Sequence, residues 1–136
     1  MDSARNRQNT IDAVAAFNAG ALDRYLASYA PEATIHGLPE HLEPNLTGHR
    51  EFLTQMRRAL PDFTSTIEDL VAEGDLVAAR LTYSGTHEGV LRGVPPTGRR
   101  LTWEAMTFRR FNDDGLTVER WILGDNLSLL HQLGLV

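Results

Sequence analysis

The hydrophobic pattern of this chain changes its period at Pro61, and this change constrains the fold more than any other feature. Before Pro61, apolar residues recur at helical spacing; after it, apolar and polar residues alternate over long runs. Alternation is typical of strands that bury one face, and helical spacing is typical of amphipathic helices. The order predicts an α+β fold, in which three N-terminal helices pack on a curved antiparallel sheet and a short helix closes the C-terminus.

The same pattern gives the bounds of these elements. We predict helices at 11–20, 22–29, 48–60 and 127–133, and strands at 33–38, 63–73, 76–89, 101–111 and 116–123. The turn at 112–115 joins the last two strands as a hairpin. A chain of 136 residues has the size of one domain, so we assign 1–136 to a single domain. A ligand cavity is expected where the curved sheet diverges from the helices.

Composition removes several classes of function. All 13 basic residues are arginine and there is no cysteine, which excludes lysine Schiff bases, thiolate nucleophiles and cysteine-based metal sites. The net charge of −5 argues against nucleic-acid partners, which require a basic face. We interpret the arginine pairs 57–58, 99–100 and 109–110 as solvated or structural, and expect Arg80 and Arg109 to pair with acidic residues on neighbouring strands.

From the sequence we expect neither a signal peptide for secretion nor a membrane-spanning segment. Residues 1–18 lack the apolar core and cleavage site of a signal peptide. No window approaches 18 consecutive apolar residues, so we expect no membrane partner. We therefore expect a cytoplasmic protein.

Two segments resemble the SnoaL-like polyketide cyclases, a group within the nuclear-transport-factor-two-like superfamily. One is Thr-His-Glu-Gly at 86–89 with the proline loop at 93–100; the other runs from Val118 through Asp125 to Gly134. The resemblance implies a cone-shaped fold, commonly a homodimer, and a hydrophobic polyketide-like substrate. It also implies ring closure by an aldol reaction without a metal or an organic cofactor.

The resemblance assigns catalytic roles to Asp125 as acid/base and to His87 as the group that assists at the substrate carbonyl. An enolising base needs a carboxylate that is shielded from water. His87 has the strand parity of Val77, Ala79 and Leu81, which places it on an apolar face. From spacing alone, Asp125 is more typical of a helix N-cap before Leu127, and it is the resemblance that favours the catalytic role. His87 is equally typical of a core histidine bonded to backbone.

Six further side chains are candidates to line a flat substrate: His36, Phe52, Tyr83, Trp103, Met106 and Trp121. Each could instead be ordinary core. Trp103 and Met106 have opposite strand parity, so both can face the pocket only if a bulge intervenes. If the Met106 face points inward, Glu104 becomes a buried carboxylate and a rival for the base.

His36, His41 and His49 lie close together in sequence with Glu40 and Glu43, but their spacing fits no common metal site. We therefore expect no metal. Two other functions stay open beside the cyclase. One is hydroxylation or epoxide opening through an activated water, and the other is a non-catalytic small-molecule-binding module. Labelled oxygen or water in the product would separate the first of these from an aldol closure.

Overall fold

The structure is a computed structural model that describes residues 2–136; Met1, part of the predicted domain range, lies outside them. The described residues form helices α1 (Ser3–Asn18), α2 (Leu22–Leu26), α3 (Leu46–Ala59) and α4 (Asn126–Gln132). They also form strands β1 (Tyr29–His36), β2 (Thr64–Glu73), β3 (Leu76–Thr86), β4 (Arg100–Phe111) and β5 (Thr117–Gly124). The α+β fold class predicted from the period change is confirmed.

The five strands form one sheet in the order β1-β5-β4-β3-β2. All neighbours are antiparallel except β1, which runs parallel to β5. The structure differs from the prediction at β1, which begins at Tyr29, four residues early, and contains Pro31. Proline is tolerated there because β1 is an edge strand, and its pairing with β5 is irregular between Tyr29 and Thr34.

The helix α1 begins eight residues before the predicted start. Asp2 caps it by accepting a hydrogen bond from the Arg5 amide at 2.9 Å. Farther along, Arg5 donates to the carbonyl of Asp113 and Asn9 donates to that of Gly115, both in the β4–β5 hairpin turn. These polar contacts hold the first two turns of the helix, and a search for apolar periodicity does not detect them. No helix within residues 2–136 is long and apolar enough to cross a membrane.

The two faces of the sheet have different environments. The inner face packs against the helices: α1 covers β2 and β3, and α3 covers β1. In β4 the buried residues are the odd-numbered ones, from Leu101 to Phe111. The outer face carries exposed apolar side chains, among them Met106 at 55% and Leu123 at 77% exposure. This pattern follows from the pleat, because successive side chains of a strand point to opposite faces.

Candidate active site

A cavity of about 90 Å³ lies between the inner face of the sheet and the helices. Its walls are largely aromatic: Phe63 and Trp103 stack with centroids 5.8 Å apart, and Tyr83 lies against both rings. Ligand pockets of drug size measure roughly 300–1,000 Å³. The cavity therefore accommodates one ring or end group, and the rest of a larger substrate would extend outward.

Three of the six predicted lining residues, Phe52, Tyr83 and Trp103, line this cavity. Phe52 comes from α3, and the other two are cross-strand partners on β3 and β4. The register of β3 and β4 shows which of Trp103 and Met106 faces the cavity, a question that strand parity alone left open. Since Trp103 lies opposite Tyr83 on the inner face, Met106 must lie on the outer face.

The other three, His36, Met106 and Trp121, do not line the cavity. They share a shallow groove on the outer face, where the His36 and Trp121 rings stack at 5.2 Å. His36 Nε2 also lies 2.6 Å from a carboxylate oxygen of Glu119. The difference from the prediction has one physical cause. Apolar residues occupy both faces of β4 and β5, so composition could not identify the inner one.

Of the two predicted charge pairings, that of Arg80 with an acid on a neighbouring strand is present, and that of Arg109 is wrong. Glu104 lies on the outer face, where it pairs with Arg80 at 2.9 Å, and it is therefore not a buried rival for the base. Arg109, which we expected to pair with an acid, is only 3% exposed and points to the inner side. Its neighbour Arg110 has the outer position and pairs with Asp75.

Asp125 is the N-cap of α4, which is one of the two roles that the sequence left open for this residue. Its Oδ1 accepts a hydrogen bond from the amide of Ser128 at 3.0 Å. Its own amide donates to the carbonyl of Glu104 at 2.8 Å, which fixes the chain as it leaves β5. The side chain is exposed, and the residues on either side of it, Gly124 and Asn126, line the cavity. Within residues 2–136, Oδ2 accepts no hydrogen bond.

His87 is fully buried but is not among the residues that line the cavity. Its ring Nδ1 lies 3.0 Å from the hydroxyl of Thr97. Its backbone bonds to Arg99 and Gly98, so the residue fastens the proline loop to the end of β3. The ring Nε2 is buried without a partner among the described residues.

Sequence reasoning missed a buried polar cluster at one end of the cavity, built by Arg120, Tyr25, Tyr29 and His49. Arg120 Nη1 donates to the hydroxyl groups of Tyr25 at 2.6 Å and Tyr29 at 3.0 Å. The two hydroxyls lie 2.8 Å apart, and His49 Nε2 lies 2.9 Å from that of Tyr25. The cluster thus joins α2, β1, α3 and β5 beside the aromatic walls.

Arg109 lies directly opposite Arg120 in the register of β4 and β5. Its Nη1 donates to the hydroxyl of Thr117 at 3.1 Å, and its guanidinium lies 4.7 Å from the centre of the Tyr29 ring. Within residues 2–136, neither arginine forms a salt bridge with a carboxylate. The cavity is therefore bordered by two buried positive charges.

These charges shift the titration of their neighbours. Burial, together with the charges of Arg120 and Arg109, holds the pKa of His49 well below its usual 6.5, so the ring is neutral. Burial opposes ionisation of Tyr29, but the two arginines outweigh it and lower the pKa of its hydroxyl. For Tyr25, burial outweighs the attraction of Arg120 and raises the pKa.

Strand parity holds part of the signal for the arginine pair, because Arg109 has the parity of Trp103 on β4 and lies opposite Arg120 on β5. This parity becomes informative only when the pairing of β4 with β3 identifies the inner face. Arginine is rarely buried without a partner, which favoured the interpretation of the pair 109–110 as solvated or structural; Arg109 is instead buried and borders the cavity. The three clustered histidines do not meet: His36 is on the outer face and His49 lies at the cavity. The described residues hold no group of three or more histidines or acids placed to bind a metal ion.

The chain matches one protein family in sequence and several solved structures in sequence and fold. The sequence profile of the SnoaL-like polyketide cyclases matches residues 8–133. AclR from Streptomyces galilaeus, a candidate hydroxylase, is 30% identical over 99% of both chains, with a TM-score of 0.90. TsrD from Streptomyces laurentii is 33% identical over 100% of this chain and 99% of its own, with a TM-score of 0.85.

IdmH from Streptomyces antibioticus, a candidate polyketide cyclase, is 34% identical. The match covers 95% of this chain and 98% of that one, with a TM-score of 0.83. No curated protein matches the chain. The chain is therefore similar in sequence and fold to proteins named for two different reactions.

Proposed function

Because the chain belongs to the SnoaL-like polyketide cyclase family, we propose that it closes a ring in a small polyketide-like carbonyl compound by an aldol reaction. The observation that carries this proposal is the cavity with flat aromatic walls and polar groups at one end. Flat walls suit a conjugated or aromatic substrate, and buried polar groups orient its oxygen atoms. The residues assigned to the reaction need neither a metal nor an organic cofactor.

In this reaction Asp125 acts as general acid/base. Its carboxylate takes a proton from the carbon next to one carbonyl, and the resulting enolate carbon attacks a second carbonyl carbon of the same molecule. A carbon–carbon bond forms, and the attacked C=O becomes an alkoxide that takes the proton back from Asp125. The product is a cyclic β-hydroxy ketone, an isomer of the substrate. A positioned base of this kind contributes roughly 10²–10⁴-fold to the rate.

The neighbours and the capping of Asp125 support this role, but its carboxylate is exposed in the structure, so the proposal requires that the bound substrate shields it from water. One oxygen, Oδ1, holds the start of α4, and the other has no hydrogen-bond donor among residues 2–136. Gly124 and Asn126, the residues on either side, both line the cavity. Capping fixes the orientation of the carboxylate, and a fixed base needs no reorganisation when substrate arrives.

His87 was the sequence-based choice for the group that polarises the carbonyl. We retain His87 as a proposal. His49 is the alternative residue for this role, because His49 lines the cavity and His87 does not. His87→Gln and His49→Gln separate the two. If His87 polarises the carbonyl, His87→Gln lowers kcat while the proline loop stays ordered; if His49 does so, only His49→Gln has this effect.

The experiment that tests the proposal compares two substitutions at Asp125. Asn caps a helix about as well as Asp but cannot take a proton, whereas Ala loses both properties. Turnover of linear polyketide-like dicarbonyl compounds is followed by liquid chromatography, which separates the cyclic isomer from the open-chain substrate of equal mass, and unfolding curves are measured for each variant. If Asp125 is the base, both variants lose turnover; if it serves only as a cap, Asp125→Asn keeps full turnover and the proposed mechanism is wrong.

A second candidate function is hydroxylation, which the similarity to AclR favours. The two reactions give products of different mass: simple aldol closure leaves the mass unchanged, dehydration after closure removes water, and hydroxylation adds an oxygen atom. Epoxide opening would add water, and oxygen-labelled water distinguishes it from the others. A ligand that binds tightly and is recovered unchanged would instead favour a binding module.

We further propose that the chain forms a homodimer through the outer face of the sheet and acts in the cytoplasm. The groove on that face exposes Met106, Phe108 and Leu123, and large apolar side chains that are exposed side by side can be covered by the same face of a second copy. The same face carries both signs of charge, on Arg80 and Glu104 among others, so a second copy can present complementary groups. Sedimentation of the full chain measures its mass in solution and tests this.

A further inference from the structure

The two buried arginines that line the cavity form hydrogen bonds to hydroxyl groups but lack the carboxylate partner that usually offsets the cost of burying a guanidinium. Placing a guanidinium out of water costs several kcal/mol, and attraction to a partner carboxylate usually compensates it. Here Arg109 and Arg120 are 3% and 6% exposed, and neither contacts a carboxylate within the described chain. They also lie opposite each other on neighbouring strands, where like charges destabilise a sheet.

Several polar atoms around this pair are buried without a hydrogen-bond partner among the described residues. They include Arg120 Nε and His49 Nδ1, whose side chains both contact the hydroxyl of Tyr25. The hydroxyl of Ser65, on β2, is a third buried group without a partner. All three residues, together with Arg109, line the same cavity. A cavity that is lined by two buried guanidinium groups, neither of which has a carboxylate partner among the described residues, is suited to an anion.

We propose that this site binds a carboxylate of the substrate, so that the substrate is an aromatic or conjugated organic acid whose charged end enters the cavity first. Arg120 and Arg109 provide the charge, and the rings of Trp103 and Tyr83 provide the flat walls. The volume of about 90 Å³ suits one ring or the charged end group. This inference rests on the proposed function, because it names the substrate class of the same cavity.

An internal counterion would be the alternative to an external acid. The hydroxyl of Tyr29, between the two arginines, is the group that could supply it, since its pKa is lowered by their charges. A tyrosinate at Tyr29 would neutralise the charge of one arginine and so lower the affinity of the cavity for an anion. Near-ultraviolet absorbance of the free protein at neutral pH measures this ionisation directly.

The test compares two one-ring probes of nearly equal shape, benzoate and benzamide, by isothermal titration of the full chain. We expect benzoate to bind at least about tenfold more tightly, the difference of a charge-assisted hydrogen-bond pair over a neutral one. Arg109→Met is expected to abolish the preference and Arg109→Lys to restore much of it. Arg110→Met is the matched control, because its side chain lies on the outer face.

Several results would overturn the proposal. The first two are equal binding of benzoate and benzamide, and no binding of benzoate at millimolar concentration. The other two are a preference for benzoate that remains in Arg109→Met, and an ionised Tyr29 in a wild-type protein that shows no preference for benzoate. The outcome is independent of the cyclase proposal, which is measured by turnover in the Asp125 variants. Selective benzoate binding without ring closure would support the carboxylate site and refute only the cyclase proposal. Ring closure without selectivity for benzoate would support the cyclase proposal and refute only the carboxylate site.

Discussion

Replacing Arg109 by Met tests whether the buried arginine pair is held at a cost to the fold. Met matches the length and much of the volume of the arginine stem and brings no charge. The substitution removes a buried guanidinium that has no carboxylate partner among residues 2–136. It also removes the repulsion between this group and Arg120, its neighbour across β4 and β5.

The opposing contributions can be compared in size. Two positive charges a few ångströms apart repel by about 2–4 kcal/mol at an effective dielectric constant of about 20. Met leaves the fully buried hydroxyl of Thr117 without this hydrogen bond, which costs about 1–3 kcal/mol. It also forfeits the contact of the guanidinium with the Tyr29 ring, worth about 0.5–2 kcal/mol. Relief of desolvation adds to the gain, and apolar replacements of buried ionic groups are often neutral or stabilising by 1–4 kcal/mol.

We therefore expect Arg109→Met to leave the free energy of unfolding unchanged or to raise it by up to about 2 kcal/mol. The assay is urea denaturation at neutral pH, with the thermal midpoint as a second measurement. Arg110→Met should have the opposite sign, a loss of about 0.2–1 kcal/mol, because it breaks a partly exposed ion pair with Asp75. A loss greater than about 1 kcal/mol in Arg109→Met would refute the reasoning, since it would mean that Arg109 stabilises the fold.

The remaining predictions concern pH and assembly. The depressed pKa of His49 means that the unfolded chain binds a proton that the folded chain does not. Stability is then fully present above about pH 6.5 and falls as the pH decreases below it, by up to about 1.4 kcal/mol per pH unit. His49→Gln should flatten this slope in denaturation curves measured between about pH 6.5 and 5, and the exposed His131→Gln should leave it unchanged; an identical slope in His49→Gln would rule His49 out as its source. Leu123→Lys should shift the chain toward monomer in sedimentation without altering benzoate binding; unchanged mass would argue against the outer face as the dimer interface.

The sequence was sufficient for the fold because its two periods are strong and separated at one point. Tyr83 could be assigned to the inner face because apolar and polar side chains alternate along β3 from Ala79 to Ser84. In β4, Met106 and Trp103 are both large and apolar, so only the pairing with β3 identified the inner one. The strand bounds differ mainly at β1, where Tyr29 and Pro31 lie in strand although proline usually indicates a break.

The site was harder to predict because its chemistry depends on buried charge. Arg109 and Arg110 are adjacent and chemically identical, yet one borders the cavity and the other pairs with Asp75 on the outer face. Nothing in the residue types distinguishes them; the register of the strands does. The contact of Arg120 with Tyr25 and Tyr29 spans more than 90 positions of the chain and leaves no local pattern.

The most direct test of the account is whether the protein, through Asp125, removes a proton from a carbon next to a carbonyl. Benzoylacetone in deuterated water provides a probe with polyketide-like spacing of its carbonyl groups, and NMR follows exchange of its acidic C–H protons. The account predicts that the wild-type protein accelerates exchange over buffer and that Asp125→Asn, with the helix cap intact, loses about 10²–10⁴-fold of this acceleration. Exchange by Asp125→Asn at the wild-type rate would contradict it.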